Sequence, residues 1–239
     1  MGRALAIELA DRGASVFATA RREQLLLTLA AERPIAVLAG DVTSDRFRRE
    51  LVETAVSRLG GLDVVIAAAG SGAIGPFAEA EPATLRRVME IDFFAPAELV
   101  RIAIPALLLS RAPAVVFVGS ILGLHPIPLH ADYCAAKAAI HSLAGTLRAE
   151  LAPAQVDVLL ATLGPTASEF WDSLLVGDRP AWSRGRQLDA STTARTIIAA
   201  LERRRATVYP GWSAKGFAIA ARFCPRLIDR IVRRRMAGA

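Results

Sequence analysis

AVVFVGSILGLHPIPLHADYCAAKAAI, residues 114–140, passes from an unbroken apolar run, through a loop with prolines at 126 and 128, into a helix-forming stretch. A strand apolar at every position has both faces covered, as in a parallel sheet packed between helices. The same alternation extends in both directions. Runs at 15–20, 35–39, 63–69, 156–162 and 207–209 read as further strands, and 2–12, 22–32, 44–59, 82–110, 131–152 and 191–204 as helices. The expectation is an α/β fold, a doubly wound parallel sheet flanked by helices in a single domain over 1–239. In such sheets ligands sit at the carboxyl ends of the strands, so the loops leaving the strands carry the function.

Composition narrows the classes. The 239-residue chain is 53% hydrophobic and carries a net charge of +6, almost all of its basicity from arginine, since only Lys137 and Lys215 are lysines. No apolar run is long enough for a membrane span, and no leader pattern opens the chain, so a cytoplasmic protein is expected. Cys134 and Cys224 lack metal-ligand spacing, and no metal is expected. No stretch interleaves aromatic and basic residues as nucleic-acid binding would require. His125 and His130 read as solvated or structural.

Ser120, Tyr133 and Lys137 carry the chemistry. Tyr133 and Lys137 lie four residues apart, on one face of the predicted helix, and Ser120 ends the preceding strand. A phenol with an ordinary pKa of about 10 is a poor acid or base near neutrality. A nearby ammonium favours the phenolate, and a serine hydroxyl can hold a substrate oxygen while the tyrosine moves a proton. A Y-x-x-x-K spacing alone also fits an ordinary helix with a surface lysine. The retention of lysine in an arginine-rich chain argues for a compact point charge.

With these motifs in this order, the sequence resembles the short-chain dehydrogenase/reductase family over residues 2–210. The family's serine lies thirteen residues before its tyrosine, and its lysine four after, as here. GDVT at 40–43 resembles its adenine-contacting Asp–Val pair, assigning Asp41 and Val42. AAAG at 67–70 sits where the family has N-N-A-G, with Ala68 and Gly70 in the cofactor-facing positions. LGPTASEF at 163–170 resembles the segment that closes on the nicotinamide, aligning Gly164, Pro165, Thr166 and Ser168. The resemblance implies a Rossmann-like fold, a homo-oligomer, and reversible hydride transfer between a nicotinamide cofactor and a carbonyl or alcohol. Tyr133 is then the acid/base, Ser120 positions the substrate oxygen, and Lys137 binds the nicotinamide ribose and tunes Tyr133.

Two departures matter. The family's fourth catalytic position, an asparagine, is Asp92 here, which would favour protonated Lys137 if the two communicate through water; the alternative is an aspartate facing a polar cavity. Ala67 and Ala68 replace asparagines in a chain that contains none. The opening MGRALAIELADRGASV is helical from Gly2, which matches the last glycine of the family's T-G-x-x-x-G-x-G turn. The expectation is a stretch without the usual first strand and most of that turn; the leading explanation is a start assigned too late, with an apolar strand and glycine-rich turn upstream, and otherwise the sheet has a gap.

NAD-binding sheets usually carry an acid after the second strand of the fold, whereas a 2′-phosphate calls for arginine. Arg21 and Arg22 follow the strand at 15–20, which favours NADP(H) over NAD(H) with Arg21 as the phosphate ligand; the alternative is two solvated arginines. Residues 167–190 read as a substrate lid, with Phe170, Trp171, Leu174, Leu175, Val176 and Trp182. Together with Phe93, Phe94, Leu122, Leu124 and Ile127 they suggest an apolar pocket for a lipophilic carbonyl or alcohol, or else aromatics that merely pack the lid. The tail over 213–239 is basic and amphipathic, ends in arginines at 233–235, and is broken by Pro225. Packing on the domain or on a second subunit is preferred there over contact with a membrane surface. The competing functional class is a catalytically silent Rossmann-like binding or scaffold protein with weakened cofactor grip.

Overall fold

A computed structural model describes residues 1–179, 185 and 187–237 of the chain. The elements follow in the order α1 (Gly2–Asp11), β1 (Val16–Ala20), α2 (Glu23–Glu32), β2 (Ile35–Ala39), α3 (Asp45–Leu59), β3 (Val64–Ala67), α4 (Pro82–Met89), α5 (Ala95–Leu107), β4 (Ala114–Ser120), α6 (Ala131–Leu151), β5 (Asp157–Leu163), α7 (Ala190–Glu202), β6 (Thr207–Val208), α8 (Trp212–Phe223) and α9 (Pro225–Ala237). All strand pairs are parallel.

The pleat of β4 shows why its sequence is apolar throughout. Val115 and Phe117 face α5 and α6, in a core with Val100, Leu107 and Ile140. Val116 faces the other way, toward Leu5 of α1 and Ile197 and Ile198 of α7. Alternate residues of one strand therefore serve two helical layers, and neither face meets water. Local signals bound the helices. The Ser44 side chain accepts from the Phe47 amide at the start of α3, and Gly60 closes that helix at φ +77°. Asp189 caps α7 through the Thr192 amide at 2.9 Å.

Among the described residues the sheet is in two parts, β1–β2 and β3–β4–β5–β6. The expected gap lies between β1 and β3. Residues of both strands, Phe17 and Ala18 on one side and Val65 and Ile66 on the other, line a single cavity of about 2330 Å3.

The stretch read as one helix over 82–110 contains a π-helical turn at Glu90–Phe94 between α4 and α5. Such turns add a residue to the helical circuit and are frequent at functional sites. Here the turn carries Asp92, which is 1% exposed.

Candidate active site

Ser120 ends β4, and its Oγ accepts from the Leu122 amide at 3.1 Å. The short 3-10 turn that follows, Ile121–Gly123, packs against α6 so closely that a Cβ at Gly123 would stand 2.8 Å from the backbone of Lys137. This approach brings Ser120 within hydrogen-bonding reach of the Tyr133 phenol. One turn along α6, the Lys137 ammonium lies 5.6 Å from the centre of the Tyr133 ring and donates to the Val118 carbonyl at 3.2 Å.

Asp92 meets Lys137 directly, with Oδ1 2.9 Å from Nζ and both side chains buried, rather than through water. Its other oxygen accepts from the Ser71 amide at 2.9 Å. Burial raises the Asp92 carboxyl above its ordinary value, against the pull of Lys137 and the Ser71 amide. Burial opposes charge on Lys137 as well, but Asp92 and Tyr133 outweigh it, and Lys137 is held above its ordinary value. At 2.9 Å the two form an ion pair.

The consequence for Tyr133 departs from expectation. Burial pushes its phenol up, Lys137 pulls it down, and Asp92 pushes it up again, leaving it raised. Burial is the largest of these influences; the Lys137 charge works against it, and Asp92, in contact with that cation, offsets part of its pull. The site is poised with the phenol protonated.

All the residues singled out for cofactor binding line the same cavity as Ser120, Tyr133 and Lys137: Gly2, Arg21, Asp41, Val42, Ala68, Gly70, Gly164, Pro165, Thr166 and Ser168. Gly70 is where no side chain fits, since a Cβ there would lie 2.9 Å from Asp92 Oδ1 and 3.5 Å from Lys137 Nζ. α1 begins without a side-chain cap, and Gly2 at its start faces the cavity. Asp41 is committed elsewhere. Its carboxylate accepts from the amide and hydroxyl of Thr43 and pairs with Arg87 at 3.1 Å. Burial works against this charge, but these partners hold the carboxyl below its ordinary value. The Val42 carbonyl accepts from Arg48 at 2.8 Å, so this loop is braced from within. Arg22 contacts Glu169, while Arg21 is exposed at the cavity edge.

The lid folds over the tyrosine. The Phe170 ring centre is 5.2 Å from that of Tyr133, and Trp171 packs edge-on behind it. The lid is tied to the loop after β3 by backbone bonds from Leu175 to Gly72 and from Ile74 to Val176. Leu122, Ile127, Phe170 and Trp171 line the cavity as expected, whereas Phe93, Phe94, Leu124, Leu174, Leu175 and Val176 do not. Phe93 instead packs edge-to-face with Phe94, which is exposed. Trp182 lies outside the described residues, as does the side chain of Arg235. Sequence reasoning missed Phe217 and Ile228 of the tail, which line the cavity. It also missed His141, whose ring stands behind Gly119 and Gly123.

A family model described as short chain dehydrogenase matches residues 1–176, and the chain belongs to that family of oxidoreductases. A short chain dehydrogenase of Pseudocercospora fijiensis is 35% identical over 159 residues, covering 63% of this chain and 51% of its own length. The match thus spans about half of that relative. An 11-beta-hydroxysteroid dehydrogenase A of Sesamum indicum is 31% identical over 98% of this chain and 71% of its own. The crystal structure of a short-chain dehydrogenase from Streptomyces avermitilis superposes with a TM-score of 0.84 at 26% identity, covering 100% of this chain and 93% of the other.

Proposed function

We propose that the chain is an NADP(H)-dependent oxidoreductase that reduces a lipophilic carbonyl to its alcohol, with Tyr133 as the acid. The observation that carries this reading is the buried Asp92–Lys137 pair beside a Tyr133 whose phenol is held protonated. The donor set suits a dinucleotide. The uncapped amides of α1 at Gly2 fit a pyrophosphate, and the exposed guanidinium of Arg21 fits a 2′-phosphate. Gly70, Ala68 and the segment from Gly164 to Ser168 border the same space, and Lys137 would hold the nicotinamide ribose.

A bound nicotinamide cofactor would supply the hydride for the carbonyl carbon. The chain manages the rest. The Ser120 hydroxyl donates to the substrate oxygen and orients it. As negative charge develops on that oxygen, the Tyr133 hydroxyl gives it a proton. The resulting phenolate is stabilised by the Lys137 ammonium, whose own proton is kept in place by Asp92. Phe170 over the tyrosine ring shields the transfer from solvent. Leu122, Ile127 and Trp171 supply apolar wall, which suits a lipophilic substrate of the steroid-like class named for the Sesamum indicum relative.

The commitment of Asp41 to Thr43 and Arg87 favours a second reading, a catalytically silent Rossmann-like binding or scaffold protein with weakened cofactor grip. Thermal unfolding with NADPH and with NADH separates the two, because a ligand binding only the folded state raises Tm. A rise with NADPH, and loss of turnover in Tyr133→Phe with the rise retained, supports the enzyme. No shift with either cofactor overturns it.

A further inference from the structure

The tail builds a surface that hydride transfer does not explain, and it lies beyond the family match, which ends at residue 176. α8 is inverted relative to an ordinary surface helix. Ala214 is buried, with its Cβ 3.1 Å from the position a Cβ would take on Gly164, while Trp212 is 87% and Phe223 72% exposed. Trp212, Ile219 and Phe223 stand at i, i+7 and i+11, one stripe along the helix. Leu227 and Ile231 of α9 are also exposed large apolar residues. Ile231 is both exposed and on the wall of the cavity, so this surface reaches the mouth of the site.

Cations border the apolar stripe. The Lys215 ammonium stands 5.5 Å from the centre of the Trp212 ring and the Arg222 guanidinium 6.0 Å from that of Phe223. Arg226, Arg230, Arg233 and Arg234 follow on α9. The sole acid between residues 212 and 237 is Asp229, which is held by His125 at 2.9 Å.

We propose that α8–α9 is a docking surface for an anionic lipid bilayer, seated with the stripe from Trp212 to Ile231 in the interface and the cations among the headgroups. Aromatic and aliphatic side chains flanked by lysine and arginine are what an interfacial helix presents to a membrane. A second copy of the chain fits worse, because a twofold contact sets each patch against itself, cation against cation. None of the described helices is long and apolar enough to cross a bilayer, and the contact is with its surface. The cavity mouth at Ile231 then opens toward the lipid.

Flotation of the full chain with phosphatidylcholine vesicles, with and without phosphatidylglycerol, tests this independently of hydride transfer. The expected result is binding to the anionic vesicles that weakens with salt, and at least about tenfold weaker binding to the neutral ones. A Trp212→Ala/Phe223→Ala variant, exposed at both positions, is expected to keep its Tm and lose about tenfold or more in binding. Failure to float with anionic vesicles at low salt overturns the proposal, as does a double variant that binds as well as the parent. A dimer in light scattering that dissociates on this double substitution also overturns it, in favour of a second copy as the occupant.

Discussion

The Lys137 ammonium lies 2.9 Å from Asp92 Oδ1, and neither side chain reaches solvent appreciably. The cation that should ease ionisation of Tyr133 is therefore half of a neutral pair. Replacing the carboxylate by an amide of the same shape frees the field of Lys137 to act on the phenol.

Asp92→Asn is accordingly expected to move the Tyr133 ionisation to lower pH, since Asp92 pushes it up. The basic limb of the pH–rate profile should shift to lower pH. The profile of kcat over pH in both reaction directions measures it, and an unchanged profile refutes the coupling. Asp92→Leu leaves a buried ammonium without its partner and is expected to cost about 3–5 kcal/mol of stability in denaturant titration.

Gly70→Ala places a methyl 2.9 Å from Asp92 Oδ1, where the carboxylate is enclosed and cannot step aside. The variant is expected to fold with a loss of about 1–3 kcal/mol and a larger proportional loss in kcat, because the ion pair must shift. Urea titration and steady-state kinetics read the two effects separately. A variant with parental kcat would show that the pair tolerates displacement.

His141 is held neutral in the fold. Burial and, secondarily, the Lys137 charge push its pKa down to about 4 from 6.5. Protons therefore bind the unfolded chain in preference as pH falls through 6.5. The stability contribution is whole above 6.5 and is lost progressively down to about 4. The expected loss is up to about 2 kcal/mol, below the full 1.36 per unit because the ring is not wholly enclosed. Tm measured across that window should fall less steeply in His141→Gln than in the parent, and parallel slopes would remove His141 as the cause.

What the sequence discloses follows the range of the physics. The apolar β4 and the spacing of Tyr133 and Lys137 are local regularities, and the sheet order follows from strand–helix alternation. The π turn at Asp92 has no residue signature, so a direct ion pair was read as a water-mediated one. Arg87 reaches Asp41 across the fold, a contact 46 residues apart that no window contains. His141 was within reach, because it stands four residues beyond Lys137 and faces glycines at 119 and 123. The stripe of α8 is periodic in sequence, but periodicity cannot say which face the fold buries. Here the packing of Ala214 on Gly164 turned the aromatic face outward.

Arg21 and Arg22 offer a test of the proposed cofactor. Arg22 is engaged by Glu169, whereas Arg21 stands exposed at the end of β1 on the cavity edge. A charge-assisted, bidentate contact with a 2′-phosphate is worth about 1.5–3 kcal/mol, or roughly 10- to 150-fold in affinity. Arg21→Glu should therefore raise KM for NADPH by about that factor, leave KM for NADH nearly unchanged, and leave kcat with saturating NADH at the parental value. Arg22→Ala should change the NADPH KM less, because its guanidinium is already shared. Equal effects of Arg21→Glu on both cofactors would mean that the arginine acts only through the general field of the cavity mouth, and the preference for the phosphorylated dinucleotide would fall with it.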